Sequence, residues 1–286
     1  MIKNVKIIEG KKKGLSVAIL ARVHGDEPAG EYAHDALINF FKKNPLYSGK
    51  VFLINANYLA SKREIRGIKY DMNRIFFEKK SDYPEGFDFN SFEYKRAMEI
   101  MKLLKKMDVV LDLHSTSKAS VPFSICFYPN KKSREIISKL PVEYDVQNFA
   151  RFLKGTTLNC LPKGKIGIVV ECGRHKNKST KDISVSCAKI LLQELEMANF
   201  KRKISKKSPI KLKTLERQIV KDFKTINYLK NYKSFMDIRP SETIAEDNLK
   251  KYKAPNKKNL LILFPGTIKS IRKGTNRDAY YLCEKI

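Results

Sequence analysis

The sequence predicts an α/β protein: a mixed sheet flanked by helices, followed by a small β-rich C-terminal domain. Short apolar runs of strand type alternate with segments of helical spacing across residues 1–200, the pattern of strands joined by crossover helices. The segment Lys201-Arg202-Lys203-Ile204-Ser205-Lys206-Lys207-Ser208-Pro209 is charge-dense, polar and ended by proline, which reads as a linker. Beyond it, Ile210-Lys211-Leu212-Lys213 and Leu260-Leu261-Ile262-Leu263-Phe264-Pro265-Gly266 read as short strands with turns. The expected divisions are therefore 1–200, 201–209 and 210–286.

Residues 3–9 and 15–21 read as two strands around the Gly10–Gly14 turn. Pro28 suits a first helical turn, and Ala29 to Phe41 places Ala33, Ala36, Leu37, Phe40 and Phe41 at helical spacing. Val51 to Ala56 is the next buried strand. Residues 57 to 90 have few periodic apolar positions, and a connection of that length inside a domain is usually functional. Ser91 to Met107 reads as an amphipathic helix, Val109 to His114 and Pro122 to Tyr128 as strands, and Lys131 to Leu140 as a helix. Ile166 to Val170 is a fully apolar strand. Lys181 to Phe200 is a helix with Ile183, Cys187, Ile190, Leu191 and Leu195 on its inner stripe.

Composition narrows the class. At 42% hydrophobic, a chain of 286 residues can build a core and shows no signature of disorder. No apolar run resembles a signal peptide or the roughly 18 residues of a membrane helix, so a cytoplasmic protein with no membrane partner is expected. The cysteines at 126, 160, 172, 187 and 283 are odd in number and form no CxxC pair, which suits reduced thiols. Cys172 is expected to be a small buried side chain. The net charge is +28, of which 23 Lys/Arg against 8 Asp/Glu put +15 after residue 200. No aromatic or helix-turn-helix motif accompanies these lysines, so the excess reads as a solvated surface and no specific nucleic-acid partner is expected.

The chemistry gathers at strand ends. Val23-His24-Gly25-Asp26-Glu27 follows the run Leu15–Ala21 directly, and open α/β sheets place ligands at the carboxyl ends of their strands. An imidazole and a carboxylate three positions apart can close on one metal ion, needing a third ligand from elsewhere. Val109-Val110-Leu111-Asp112-Leu113-His114 supplies it, a second strand ending in one of only four histidines. Alternation along the strand puts Asp112 and His114 on one face, where Asp112 can orient a metal-bound imidazole. Two His and one Glu, with a fourth position for water, is the pattern of catalytic zinc. His34 falls inside a helix and is expected to be structural.

Two further stretches complete the set. Asn73 and Arg74, after Asp71 in a donor-rich loop, suit a substrate carboxylate, which a guanidinium fork grips through two hydrogen bonds. Glu171 ends the apolar strand 166–170, where a carboxylate is costly unless it has a role or a partner. There it can take a proton from a metal-activated water and return it to a leaving nitrogen; a salt bridge to Arg174 or Lys176 is the structural alternative.

Together, His24-Gly25-Asp26-Glu27, Asp71-Met72-Asn73-Arg74, Asp112-Leu113-His114 and Val170-Glu171-Cys172-Gly173 resemble the succinylglutamate desuccinylase/aspartoacylase family, a branch of the zinc carboxypeptidase-like hydrolases. The match runs in order through residues 15 to 175. The resemblance implies one Zn2+ on His24, Glu27 and His114, with Glu171 as general base and acid. It also implies that Asn73 and Arg74 bind the amino-acid carboxylate and that Arg66 polarises the scissile carbonyl. Tyr280, in Asp278-Ala279-Tyr280-Tyr281, resembles a tyrosine that the C-terminal domain contributes to the pocket. Two departures bear on specificity. Aspartoacylase-like sequences carry an arginine about ten residues before the catalytic glutamate; Asn159 to Lys165 has none, and Lys163 or Lys165 is the candidate substitute, as a point charge without the bidentate geometry. Nor does Glu171-Cys172-Gly173-Arg174-His175 continue as Gly-Pro-Gln.

The expected activity is zinc-dependent hydrolysis of the amide bond of an N-acyl amino acid, on a small carboxylate-bearing substrate. A zinc carboxypeptidase acting on short or cell-wall peptides is the alternative within the same chemistry. An inactive basic binding protein on the same fold is the alternative from another class.

Overall fold

The stretch Val17–Ala21 anchors a mixed sheet: its side chains are buried on both faces, and its backbone pairs with a strand on each side. The structure is a computed structural model that describes residues 2–200, 207–220, 224–266 and 278–286, so most of the expected linker lies outside the described residues. Contacts divide the chain into two units, Met1–Asp145 with Leu153–Pro209, and Val146–Phe152 with Ile210–Ile286.

In chain order the first unit contains β1 (Val5–Glu9), β2 (Lys12–Ala21), α1 (Ala29–Phe41), β3 (Ser48–Asn55), the short α2 (Tyr58–Lys62), α3 (Phe92–Leu104), β4 (Val109–Thr116), β5 (Phe123–Phe127) and α4 (Lys131–Lys139). The strand β6 (Tyr144–Gln147) crosses the boundary between units; β7 (Ile166–Arg174) and α5 (Lys178–Glu194) complete the first. Its strands lie in the order β1-β3-β2-β4-β7-β5. Pairings β2–β3, β2–β4 and β4–β7 are parallel, while β1–β3 and β5–β7 are antiparallel. β1 and β2 do not pair with each other as the turn between them suggested. β3 lies between them, bonding to both.

Topology places the site. From β2 the chain crosses to β3 on one side, then through α3 to β4 on the other, so the direction of winding reverses between β2 and β4. Such a switch point opens a crevice at the carboxyl ends of the two strands. Register sets what meets there: Leu20 pairs with Asp112 and His114 with Glu171, so the end of β2 and the ends of β4 and β7 are level.

Both faces of the sheet are covered, as parallel strands require. Ala33 and Leu37 of α1, Ile136 and Ile137 of α4, and Cys187, Ile190 and Leu191 of α5 form one cluster with Val17, Ile19, Leu111 and Ile168. The alternate side chains Ala18, Leu20, Val110 and Asp112 are buried as well, and α3 buries Ala97, Ile100 and Leu104 outside that cluster. Ser91 caps α3 by accepting from the Tyr94 N–H, which ends the loop where a serine before an apolar-periodic run predicts. Among the described residues no helix is long and apolar enough to cross a membrane.

The second unit is built of strands. β8 (Ile210–Ile219), β9 (Asn227–Tyr228), β10 (Asp237–Ile238), β11 (Thr243–Glu246), β12 (Lys251–Lys253), β13 (Leu260–Leu263) and β14 (Asp278–Lys285) follow in order. β14 pairs antiparallel with β8 and β13 around a core of Ile226, Ile244, Tyr252, Leu260, Ile262, Tyr280 and Leu282.

Candidate active site

The loop after β2 is shaped by two residues. Arg22 takes a left-handed backbone conformation (φ 57°), which costs a non-glycine residue on the order of 1 kcal/mol or more. Its buried side chain secures the turn, donating from Nη1 to the Gly25 carbonyl (2.7 Å) and from Nη2 to Glu31 Oε2 (2.5 Å). A side chain at Gly25 would bring its Cβ to 2.4 Å from the Ala60 carbonyl carbon and 2.5 Å from the Ile65 oxygen. Only glycine lets segment 60–66 lie against the His24 loop, where the Gly25 N–H donates to the Arg66 carbonyl (3.0 Å).

The three expected ligands converge. His24 Nδ1 lies 2.8 Å from Glu27 Oε1, and His114 Nδ1 lies 2.9 Å from Glu27 Oε2. One ligand atom from each residue falls within 4.8 Å of the others, and all three side chains are buried. The other nitrogen of each ring faces an aspartate. His24 Nε2 is 3.0 Å from Asp71 Oδ1, and His114 Nε2 is 3.1 Å from Asp112 Oδ1, the latter off the line of a full hydrogen bond. A carboxylate beside Nε2 holds a proton on that nitrogen and turns Nδ1 toward Glu27. Two Nδ1 atoms and a carboxylate meet in one buried space, each Nδ1 sharing with Glu27 a proton that a bound cation would displace. Two imidazole nitrogens and one carboxylate oxygen are a donor set that zinc accepts, and His24, Glu27 and His114 would hold it.

The charges favour a proton between each ring and Glu27, the proton that a bound cation would replace. Burial pulls both imidazoles toward neutrality, and Arg66 adds to that at His24. Glu27 and Asp71 outweigh this at His24, while Asp112 and Glu27 lift His114 well above the usual histidine range. Burial alone would raise Glu27, but His24 and His114 hold its carboxyl well below the usual range. Any cation in the site therefore meets an ionised Glu27.

Glu171 stands level with His114 on the neighbouring strand. Its Oε2 is closed to solvent and has no hydrogen-bond partner. Burial first, and then the Glu27 charge, push its pKa up to about 7, against the pull of His114, His24 and Arg66. The alternative salt bridge is not formed with Lys176, which pairs with Glu64 at 2.8 Å. A carboxyl poised near neutrality can both take and return a proton.

The long loop is ordered by a core of its own. Tyr70 stacks on Phe87 at 4.3 Å, and Phe77, Tyr83, Phe89 and Tyr94 pack edge to face around them. At the start of α3 the buried Glu93 accepts from the Ile68 and Lys69 N–H groups (2.6 and 3.2 Å), tying down the stretch after Arg66. Arg66 donates from Nε and Nη2 to Asp71 Oδ2 (3.1 and 2.9 Å), and its Nη1 lies 3.5 Å from Glu27 Oε1. The guanidinium is thus held at the edge of the triad with half its side-chain surface open. Asn73 Oδ1 accepts from the Thr157 N–H (3.1 Å), which turns the amide NH2 away from that contact. Arg74 is exposed, with Nη1 donating to the Asn73 carbonyl (2.7 Å).

Three expected residues lie elsewhere or act otherwise. Tyr280 is fully buried in the core of the second unit, and a ring with no accessible surface has none to give a substrate. Lys165 pairs with Asp108 at 2.7 Å, just before β4, and Lys163 precedes β7. Glu171 is six residues further along an extended strand, about 20 Å away, so these lysines do not stand in for the missing arginine. His34 is structural: its ring is buried against the Ile19 carbonyl (2.9 Å). Cys172 is fully buried, as expected. Sequence reasoning placed Asp71 in a substrate motif but missed its grip on His24. It gave no role to Thr157 or to Ser115, whose N–H donates to Glu27 Oε2 (3.0 Å).

A buried His/Glu/His cluster with an unpaired glutamate, at the switch point of a mixed α/β sheet, defines a candidate metal-dependent active site. Residues 13–195 match the succinylglutamate desuccinylase/aspartoacylase catalytic domain, and the chain belongs to that family. No curated protein sequence matches the chain. Among solved structures it is similar to a succinylglutamate desuccinylase from Vibrio parahaemolyticus (TM-score 0.77, 16% identity, 99% of this chain and 86% of that one). It is also similar to murine aminoacylase 3 (TM-score 0.67, 19% identity, 95% of each chain). A third is the product-bound ectoine utilization protein EutE (DoeB) from Ruegeria pomeroyi (TM-score 0.66, 16% identity, 91% and 82%). At these identities the structures speak for the fold.

Proposed function

We propose that the chain is a zinc-dependent hydrolase that cleaves the amide bond of an N-acyl amino acid. The observation that carries the reading is the pair of Nδ1 atoms turned onto one carboxylate, beside a buried glutamate whose Oε2 has no hydrogen-bond partner. Family membership and the deacylase names of the similar structures support the same class. Bound by His24, Glu27 and His114, zinc supplies a Lewis acid that polarises a carbonyl and acidifies water.

The protein groups then divide the work. Asn73 and Arg74 bind the carboxylate of the amino-acid half, the amide through its outward NH2 and the guanidinium through its exposed fork. Arg66, fixed on Asp71 by two N–H groups, keeps Nη1 for the carbonyl oxygen as negative charge develops there. Glu171 accepts the proton of the attacking water and delivers it to the departing nitrogen, which leaves as a neutral amine. The products are a carboxylic acid and a free amino acid.

A panel of N-acetyl, N-succinyl and longer N-acyl amino acids, assayed beside dipeptides on zinc-loaded protein, tests this. Release of amino acid from the acyl series with little cleavage of dipeptides is the expected result. Preference for dipeptides would instead mark a carboxypeptidase, and no hydrolysis of either would leave a binding protein.

A further inference from the structure

We infer that Thr157 is a positioning residue that sets the metal side and the substrate side of the site from one point. It sits in a short 3-10 turn, Thr157–Cys160, and is 1% exposed. Its hydroxyl donates to Asp112 Oδ2 (2.5 Å), while its backbone N–H donates to Asn73 Oδ1 (3.1 Å). Asp112 is fully buried, and its other oxygen is the one beside His114 Nε2. The Thr157 hydroxyl therefore holds the carboxylate that keeps His114 with Nδ1 toward Glu27. The same residue's main chain fixes which end of the Asn73 amide faces outward, because Oδ1 is occupied and only the NH2 remains free to donate.

The surrounding backbone is built to bring these two contacts together. Gly155 is left-handed (φ 69°), and a Cβ there would meet the Arg74 carbonyl oxygen at 2.6 Å. Its own carbonyl accepts from the Phe76 N–H (2.9 Å). Segment 155–157 thus lies directly along the Asn73-Arg74 loop, and the hydroxyl of its last residue reaches through to β4. Because one contact is made by the side chain and the other by the backbone, substitution can separate them.

The inference rests on the reading of His114 as a metal ligand, and the experiment distinguishes the two. Zinc affinity is measured by chelator competition on the full chain for wild type, Thr157→Val and Thr157→Ser, with KM taken at saturating zinc. Thr157→Val keeps the N–H and the side-chain shape but removes the donor. Its zinc affinity is expected to fall about ten- to hundred-fold, the usual cost of losing a partner behind a ligand, with KM changed less than about two-fold since Asn73 keeps its partner. Thr157→Ser restores the hydroxyl and is expected to bind zinc within about three-fold of wild type. In an Asp112→Asn background the Thr157→Val effect should shrink, because the two act through one contact. Wild-type affinity in Thr157→Val, or an equal loss in Thr157→Ser, overturns the role of the hydroxyl. If Thr157→Val does not fold, Thr157→Ser decides alone: near-wild-type affinity supports the role and a ten-fold loss removes it. A wild-type chain that binds no zinc would instead sink the functional reading itself.

Discussion

Asp71 Oδ1 lies 3.0 Å from His24 Nε2, across 47 residues of sequence. The other oxygen of the same carboxylate accepts both Nε and Nη2 of Arg66. One side chain therefore orients a candidate metal ligand and holds the guanidinium that the proposed function aims at the substrate carbonyl. Burial would raise its pKa, but His24 and Arg66 hold the Asp71 carboxyl well below the usual range.

Asp71→Asn should consequently damage two properties at once. The Arg66 fork loses its anionic anchor, and His24 loses the charge that keeps its proton on Nε2. Zinc affinity is expected to fall about ten- to hundred-fold, and kcat at saturating zinc by about a hundred-fold as the donor drifts. Chelator competition and steady-state kinetics check the two separately. A variant with wild-type affinity and kcat would show that Asp71 is only a loop cap for the Asn73 N–H.

Glu171→Gln keeps the shape of the side chain and removes its capacity to carry a proton. Turnover should drop by about 10²- to 10⁴-fold, while the zinc content of the purified protein stays that of wild type. A kcat within a few-fold of wild type would give the proton transfer to another group.

Acid stability should carry the signature of His34. Burial pulls its pKa down from 6.5 to about 4, only partly offset by the Ile19 carbonyl and by Glu31 and Asp35. Between those two values the unfolded chain binds the proton and the folded chain does not, so folding weakens as pH falls. The contribution is intact above pH 6.5 and is lost progressively toward pH 4, amounting to about 3 kcal/mol. Urea melts of wild type and His34→Gln across this window test it: the difference in slope should disappear above pH 6.5. Identical slopes throughout would remove His34 as the source.

What could be read beforehand follows from the kind of physics involved. His24, His114 and Glu171 each end an apolar run, so periodicity alone put them at strand termini, and a shared sheet edge follows from parallel pairing. The partnership of Asp112 with His114 was legible because alternation along one strand decides it. Asp71 with His24 and Thr157 with Asp112 join residues 47 and 45 positions apart, and no local rule fixes such pairs. The loop of 63–90 carries no periodic signal because its rings pack on one another rather than on a sheet or helix face. Lys163 and Lys165 misled because distance in sequence from Glu171 was read without the length of β7, which sets them at the opposite edge. Tyr280 was placed by likeness of a short motif, and the core of the second unit claims it instead.

Metal content tests the central claim most directly. Elemental analysis of purified chain, after dialysis against excess zinc and removal of unbound ion, should give one zinc per chain. His24→Ala and His114→Ala should each give a value near zero while remaining folded by circular dichroism. Zinc retained in both variants, or absent from the wild type, would contradict a centre built on His24, Glu27 and His114.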